Sequence, residues 1–316
     1  MAERAAGTDA DSASGSRARF GDRDVGTLAT YLAGALFWGW IFLRWLNDWS
    51  GGVFVPARQA FVPPSLFRGV AAGVPVVGGA FEALAFAFEY APALVNALWL
   101  TVVLTVVSIA LGFVIAVPLA ASRVYGRVSA WVSVAYIELL RGTPLLAQLF
   151  VLYYGFPWLT RFFRGLPGVG QGVLPGQAVF VAVIGFTLNS AAYQAEYIRG
   201  AIESVAPGQL VAARSVGLSR VEGVRFVVLP QALRYAIPGW TNELVYLVKY
   251  SSLAAFITVP ELFRAAQNIA SSNYRYTSMF VLAAVLYLGV VVTATNLMEY
   301  VGRRVAVPGI SGGEGR

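Results

Sequence analysis

The chain has no histidine and no cysteine, and its only lysine is Lys249, which Tyr250 follows. These absences exclude His/Cys metal centres, disulfides, thiol chemistry and His-dependent catalytic triads. A phosphate-cradling Gly-Lys-Ser/Thr loop needs a lysine before a hydroxyl residue, so this chain has no such nucleotide site. Any ATP-driven work must come from a partner. Charge is scarce too: 12% of residues are charged, against about 25% in soluble domains. Hydrophobic residues make up 58%, and the mean hydropathy is +0.66. Several apolar runs reach the roughly 20 residues that one bilayer crossing takes. The chain therefore reads as an all-α, multi-span integral membrane protein. Its charge depletion argues against a soluble protein with a large core.

Six spans are expected, at about 27–46, 93–121, 144–159 (after a helix at 128–140), 177–197, 237–258 and 277–301. The segment 81–90 is apolar with two glutamates and too short to cross, so it is expected at the interface. The first 26 residues, rich in Ala, Ser, Gly, Asp and Arg, lack the apolar core of a signal peptide after their basic residues. They read as a disordered cytoplasmic tail. With both termini inside, fourteen arginines fall in inner segments. Six (Arg58, Arg68, Arg161, Arg164, Arg264 and Arg275) fall outside. The positive-inside rule supports this orientation in a plasma or inner membrane. The net charge of +7 then follows from topology and anionic lipid, with no call for nucleic acid. Trp38, Trp40, Trp45 and Trp49, in and just after the first span, read as interfacial belt residues.

Between the fourth and fifth spans lies a polar, basic island. Pro207 suits a first helical turn, and Gly208, Gln209 and the residues to Val216 continue it. Gly217 supplies a left-handed cap, with Leu218 after it. Ser219 and Glu222 have capping-box spacing and start a second helix. Pro230 marks that helix's end or a kink. Ala212 and Ala213 leave a small-residue face on which another protein can approach closely. An amphipathic helix bracing two spans fits the same residues.

The order AEYIRGAIESVAPGQLVAARSVGLS, then VVLPQALR, resembles the cytoplasmic loop of ABC importer permeases, which carries an EAA-x3-G-x9-I-x-LP pattern. Ala212, Ala213, Gly217, Leu229 and Pro230 stand at matching positions. Upstream, ELLRGTPLLAQLFVLYYGFP is similar to the RGTP segment of the polar amino acid branch. Downstream, LVKYSSLAAFITVPEL is similar to its K-D-S-S-L stretch. The resemblance covers about 92–304. It implies a type I ABC importer transmembrane domain with five core helices, here with one extra N-terminal span. The implied layout is a tail (1–26), the extra span (27–46), an extracytoplasmic loop with an interfacial helix (47–91), the permease domain (92–304, coupling loop 198–236) and a flexible tail (305–316). It further implies that Gly208, Gln209, Ala212, Ala213, Gly217, Leu218, Leu229 and Pro230 couple to a cytoplasmic ABC ATPase. That partner would bind ATP and Mg; this chain would hold no cofactor and catalyse no covalent step. A second permease subunit and an extracytoplasmic substrate-binding protein complete the implied complex. Two positions depart from the pattern: Val211 replaces the glutamate of EAA, and Tyr250 replaces the aspartate after Lys249.

A charge within a span marks a candidate functional site. Lys249 lies near the middle of the fifth span, with Asn242 and Glu243 over a turn away if that span is one helix. Ser251 and Ser252 follow directly. In the fourth span Asn189 and Tyr193 share a helix face, beside Ser190 and Gln194. These residues form a path for a zwitterion or, equally for Asn189 and Ser190, hydrogen bonds at a dimer interface. Arg141, Thr143 and Pro144 mark a kink or gate near the inner end of the third span. The leading reading is the permease subunit of an ATP-driven importer for polar amino acids. Lys249 without its aspartate favours an acidic or neutral substrate over a basic one. An ATP-independent channel or secondary transporter is the second reading, although neither inverted repeats nor several acidic residues within spans stand out. A membrane-embedded enzyme is third, and no clustered carboxylates favour it.

Overall fold

A computed structural model describes residues 11–56, 59–73, 78–171 and 174–305. The chain divides into two compact units after Phe61. The first contains α1 (Asp11–Trp49), which carries the predicted first span. Helix begins at Asp11, within the stretch expected as a tail; residues 1–10 lie outside the described residues. A helix already nucleated by the apolar stretch extends cheaply into an Ala- and Arg-bearing segment. Arg44, within the predicted first span, closes the unit. It is 1% exposed, ion-pairs with Asp48, donates to the Gln59 carbonyl and lies 5.0 Å from the Phe61 ring. Asn47 donates to the Val55 carbonyl at 2.9 Å and accepts from the Phe54 and Val55 amides, which ties the following loop to the helix end.

The second unit begins with α2 (Pro64–Gly73) and α3 (Gly78–Tyr125). At 1.5 Å per residue α3 is about 72 Å long, more than twice a bilayer core of about 30 Å. The segment 81–90 is therefore no separate interfacial helix. It is the first part of α3, extending beyond the apolar stretch and packed by α2, with Phe67 stacked on Phe88 at 5.0 Å. Next come α4 (Val128–Arg141) and α5 (Leu145–Phe150), the latter running on through a π-helical turn (Val151–Gly155). They meet at a 100° bend. A short α6 (Pro157–Arg164) leads to α7 (Gln177–Ser204).

The island contains α8 (Gly208–Ser215), α9 (Arg220–Gly223), a π-helical turn (Val224–Val228) and α10 (Leu229–Tyr235). Then α11 (Ile237–Tyr250) passes into a 3-10 turn (Ser251–Ile257), followed by α12 (Leu262–Asn273) and α13 (Tyr276–Val305). The C-terminal tail expected at 305–316 lies, beyond Val305, outside the described residues.

Among the described residues three helices, α3, α7 and α13, are long and apolar enough to cross a membrane, or four if α4 and α5 form one bent span. Two of the six expected spans fall outside that count. In the fifth, α11 stops after 14 residues and a 3-10 turn takes over. Helix α7 is the hub: 72% of its apolar window is buried, against 22% for α13. Its alanines explain this. Ala191, Ala192 and Ala195 let α3 pack along it, and Gly112 of α3 lies where a Cβ would come within 2.8 Å of the Gln194 amide. Small residues bring membrane helices together because lipid leaves little hydrophobic drive between them.

Candidate functional site

The island folds as its local sequence directs. Gly217 adopts φ +93°, and the Leu218 amide reaches back to the Ala213 carbonyl at 3.2 Å, which closes α8. Both arms of the capping box are made. The Ser219 amide donates to Glu222 at 2.8 Å, and the Glu222 amide donates to the Ser219 hydroxyl at 3.3 Å. These Ser219 bonds hold the Glu222 carboxyl below the usual glutamate range. The result is a rigid elbow. Pro230 does not end the second helix. The preceding turn widens to π geometry, which takes up the missing proline N–H and its clash, and α10 continues.

One expectation about the elbow is corrected. Ala213 is 5% exposed and faces inward. A Cβ on Gly223 would lie 2.8 Å from Leu210 and 3.4 Å from Ala213, so Gly223 and Ala213 let α8 fold onto α9. Adjacent helical residues point about 100° apart, so both alanines cannot share the outer face. Gly208, Gln209, Val211, Ala212, Val216 and Gly217 are exposed; Leu218 is half-buried. Leu229 packs against the core cluster of Ile198, Val228 and Ala232, and so supports the elbow from inside.

A polar spine rises from there. Glu243 of α11 is 3% exposed and bonds the Ser190 hydroxyl of α7. Gln194 donates to Ser190 at 3.0 Å and to the Ile109 carbonyl at 3.0 Å, joining α3, α7 and α11. Asn189 donates to Gln148 at 3.1 Å and to the Leu140 carbonyl at 3.3 Å. Gln148 in turn donates to the Leu140 carbonyl at 2.7 Å and to Thr143. The α4–α5 break strands backbone carbonyls, because Pro144 cannot continue the helix. Asn189, Gln148 and Thr143 satisfy them. Asn189 is thus hydrogen-bonded within this subunit. Arg141 and Pro144 do mark the kink, and the Arg141 guanidinium lies 5.2 Å over the Tyr193 ring.

Lys249 is exposed in the last turn of α11, not mid-helix. Its ammonium is 5.8 Å from the Tyr246 ring, which stacks on Tyr250 at 5.9 Å. Asn242 is exposed on the same helix. Ser251 and Ser252 turn back onto the Val248 and Lys249 carbonyls at 2.7 and 2.8 Å and stabilise the change to 3-10 geometry.

Two carboxylates escaped the sequence reading. Glu196 of α7 is the centre of a charge cluster. It ion-pairs with Arg123 of α3, with Arg141 of α4 at 3.6 Å and with Arg199 at 3.2 Å. Arg123 also meets Glu138 at 3.6 Å, and Arg199 meets Glu203 at 2.7 Å. Glu261, fully buried, caps α12 through the Phe263 and Arg264 amides at 2.9 and 2.7 Å and accepts from the Tyr287 hydroxyl of α13 at 2.8 Å. The sequence offered only a hint for each: a carboxylate next to an expected membrane boundary, with arginines elsewhere in the chain.

A family described as the binding-protein-dependent transport system inner membrane component matches residues 108–307, from mid-α3 beyond the end of α13. The chain belongs to this family. The match spans the charge cluster, the elbow and the polar spine, so these sit in a permease subunit. The nopaline transport system permease protein NocM of Agrobacterium fabrum is 37% identical over 212 residues, covering 66% of this chain and 86% of that one. The histidine/lysine/arginine/ornithine transport system permease protein HisM of Salmonella typhimurium is 34% identical, covering 65% and 86%. A solved structure described as an amino acid ABC transporter with histidines superposes with a TM-score of 0.58 at 32% identity, covering 68% of this chain and 95% of that one. The MetNI methionine ABC transporter shares the fold, with a TM-score of 0.56 at 22% identity. The protein is a multi-pass membrane transport component.

Proposed function

We propose that this permease imports a polar amino acid or a close derivative, powered by an ATPase on the α8–α9 elbow. The observation that carries the reading is the elbow itself: a doubly capped, exposed turn built on the family's motif positions. The names of its relatives point to amino acid and opine substrates. The elbow faces the cytoplasm with both termini inside, in agreement with the arginine distribution. The exposed residues Gly208, Gln209, Ala212 and Gly217, with the half-buried Leu218, form the docking face; Ala213, Leu229 and Pro230 hold its shape. ATP, with Mg, binds the partner, whose closure pushes the elbow and switches access across the membrane. A second permease subunit and an extracytoplasmic binding protein complete the transporter. The substrate passes the exposed Asn242 and Lys249 and the half-buried Tyr193, while Glu243, Ser190 and Asn189 hold the helices that line the way.

The test is uptake by the reconstituted complex after scrambling residues 208–219. Loss of ATP-coupled uptake with normal assembly of the spans is expected. Retained uptake overturns the coupling role.

A further inference from the structure

A groove of about 620 Å³ lies between the end of α3, the start of α4 and the α9–π segment. Its floor is apolar: Val117, Pro118, Ala121, Val224 and Leu229. Its polar margin carries the hydroxyls of Ser122, Tyr125 and Ser129 and two arginines, Arg220 and Arg225, with no carboxylate among the lining residues. Neither arginine forms an ion pair among the described residues. The Arg220 guanidinium lies 5.6 Å over the Tyr125 ring, and that of Arg225 5.4 Å over the Phe226 ring. A guanidinium held by its face keeps its N–H edges free for a planar or tetrahedral anion. The groove opens where α3, a membrane-crossing helix, ends.

From these features we infer that the groove binds one anionic phospholipid, its headgroup phosphate against Arg220 and Arg225 and an acyl chain along the apolar floor. The charge is complementary to a phosphodiester and to no cation. The apolar floor suits a chain that free phosphate does not have. Basic pockets between helices at a membrane face bind such headgroups on the same physical grounds. The site neighbours the elbow through α9 but does not depend on which partner the elbow takes.

The purified full-length chain in detergent is titrated with phosphatidylglycerol and, separately, phosphatidylcholine, and retained lipid is counted by native mass spectrometry. Phosphatidylglycerol is expected to bind at least tenfold more tightly; equal binding overturns the site. The R220Q/R225Q double variant is expected to lose that preference, and R234Q, with its charge removed elsewhere in the island, to keep it. A121W leaves both arginines but blocks the floor, and it too is expected to release the lipid. Full retention in A121W, or displacement of the lipid by equimolar inorganic phosphate, means an anion site without a lipid slot and overturns the proposal. An R220Q/R225Q variant that keeps its lipid but no longer co-purifies with an ATPase reassigns the groove to a protein contact and also overturns it.

Discussion

At the residue scale, Glu196 carries most of the electrostatic weight. It is 14% exposed and faces arginines from three helices, whereas Glu138 in the same cluster is 60% exposed. Removing one partner of a part-buried network leaves the others uncompensated, while exposed pairs contribute little. Glu196→Gln is expected to lower stability by about 1–3 kcal/mol, and Glu138→Gln by less than about 1 kcal/mol, read by unfolding in detergent. Equal effects would contradict the hub. Glu222 gives a pH test. Its folded-state pKa is lowered from the ordinary 4.5 by the Ser219 bonds. The cap's contribution is therefore complete above that ordinary value and is lost as pH falls through the lowered one. Amide exchange at Ser219–Glu222, corrected for intrinsic rate, should quicken on acidification and lose that dependence in Glu222→Gln. Lys249, exposed beside Tyr246, is expected to disfavour cationic substrates. Lys249→Met should raise arginine uptake severalfold relative to glutamine in competition assays, and no change would remove the charge from the account.

At the element scale, the elbow was legible because its signals are local. Pro207, Gly217 and the Ser219–Glu222 pair act over three or four residues, and each does what its spacing predicts. Gly217→Val places a β-branched residue at φ +93° and is expected to cost about 1–2 kcal/mol of local stability. Coupled uptake should fall further than spans-only stability, measured by uptake beside thermal unfolding. Gly223→Leu should separate α8 from α9 and weaken ATPase co-purification, with the spans intact. Non-local facts stayed hidden. The inward face of Ala213 depends on Gly223, which lies on another helix. The work of Asn189 depends on the Leu140 carbonyl that the α4–α5 bend exposes, 49 positions away, and on the Gln148 side chain, 41 positions away. Helix α11 ends early because Ser251 and Ser252 cap it with their own hydroxyls, and hydropathy does not register that.

At the scale of the whole molecule, composition already required a helical membrane protein, since lipid demands that every backbone polar group be satisfied within the chain. What composition left open is which helices can cross: among the described residues three are long and apolar enough, or four with α4 and α5 as one bent span. The permease unit is organised around α7, which touches the break in α4–α5, the spine to α11 and the charge cluster beside the elbow. In the proposed transporter, a push on the elbow would thus meet the helix that contacts the proposed path. The chain has no cysteine of its own, so a single introduced thiol reports one position. Gln209→Cys on the exposed face of α8 is labelled with a membrane-impermeant maleimide in inside-out vesicles holding the assembled transporter. Slow labelling is expected with the ATPase bound, and at least tenfold faster labelling after the ATPase is stripped. Equal labelling in both states would contradict an ATPase seated on the elbow.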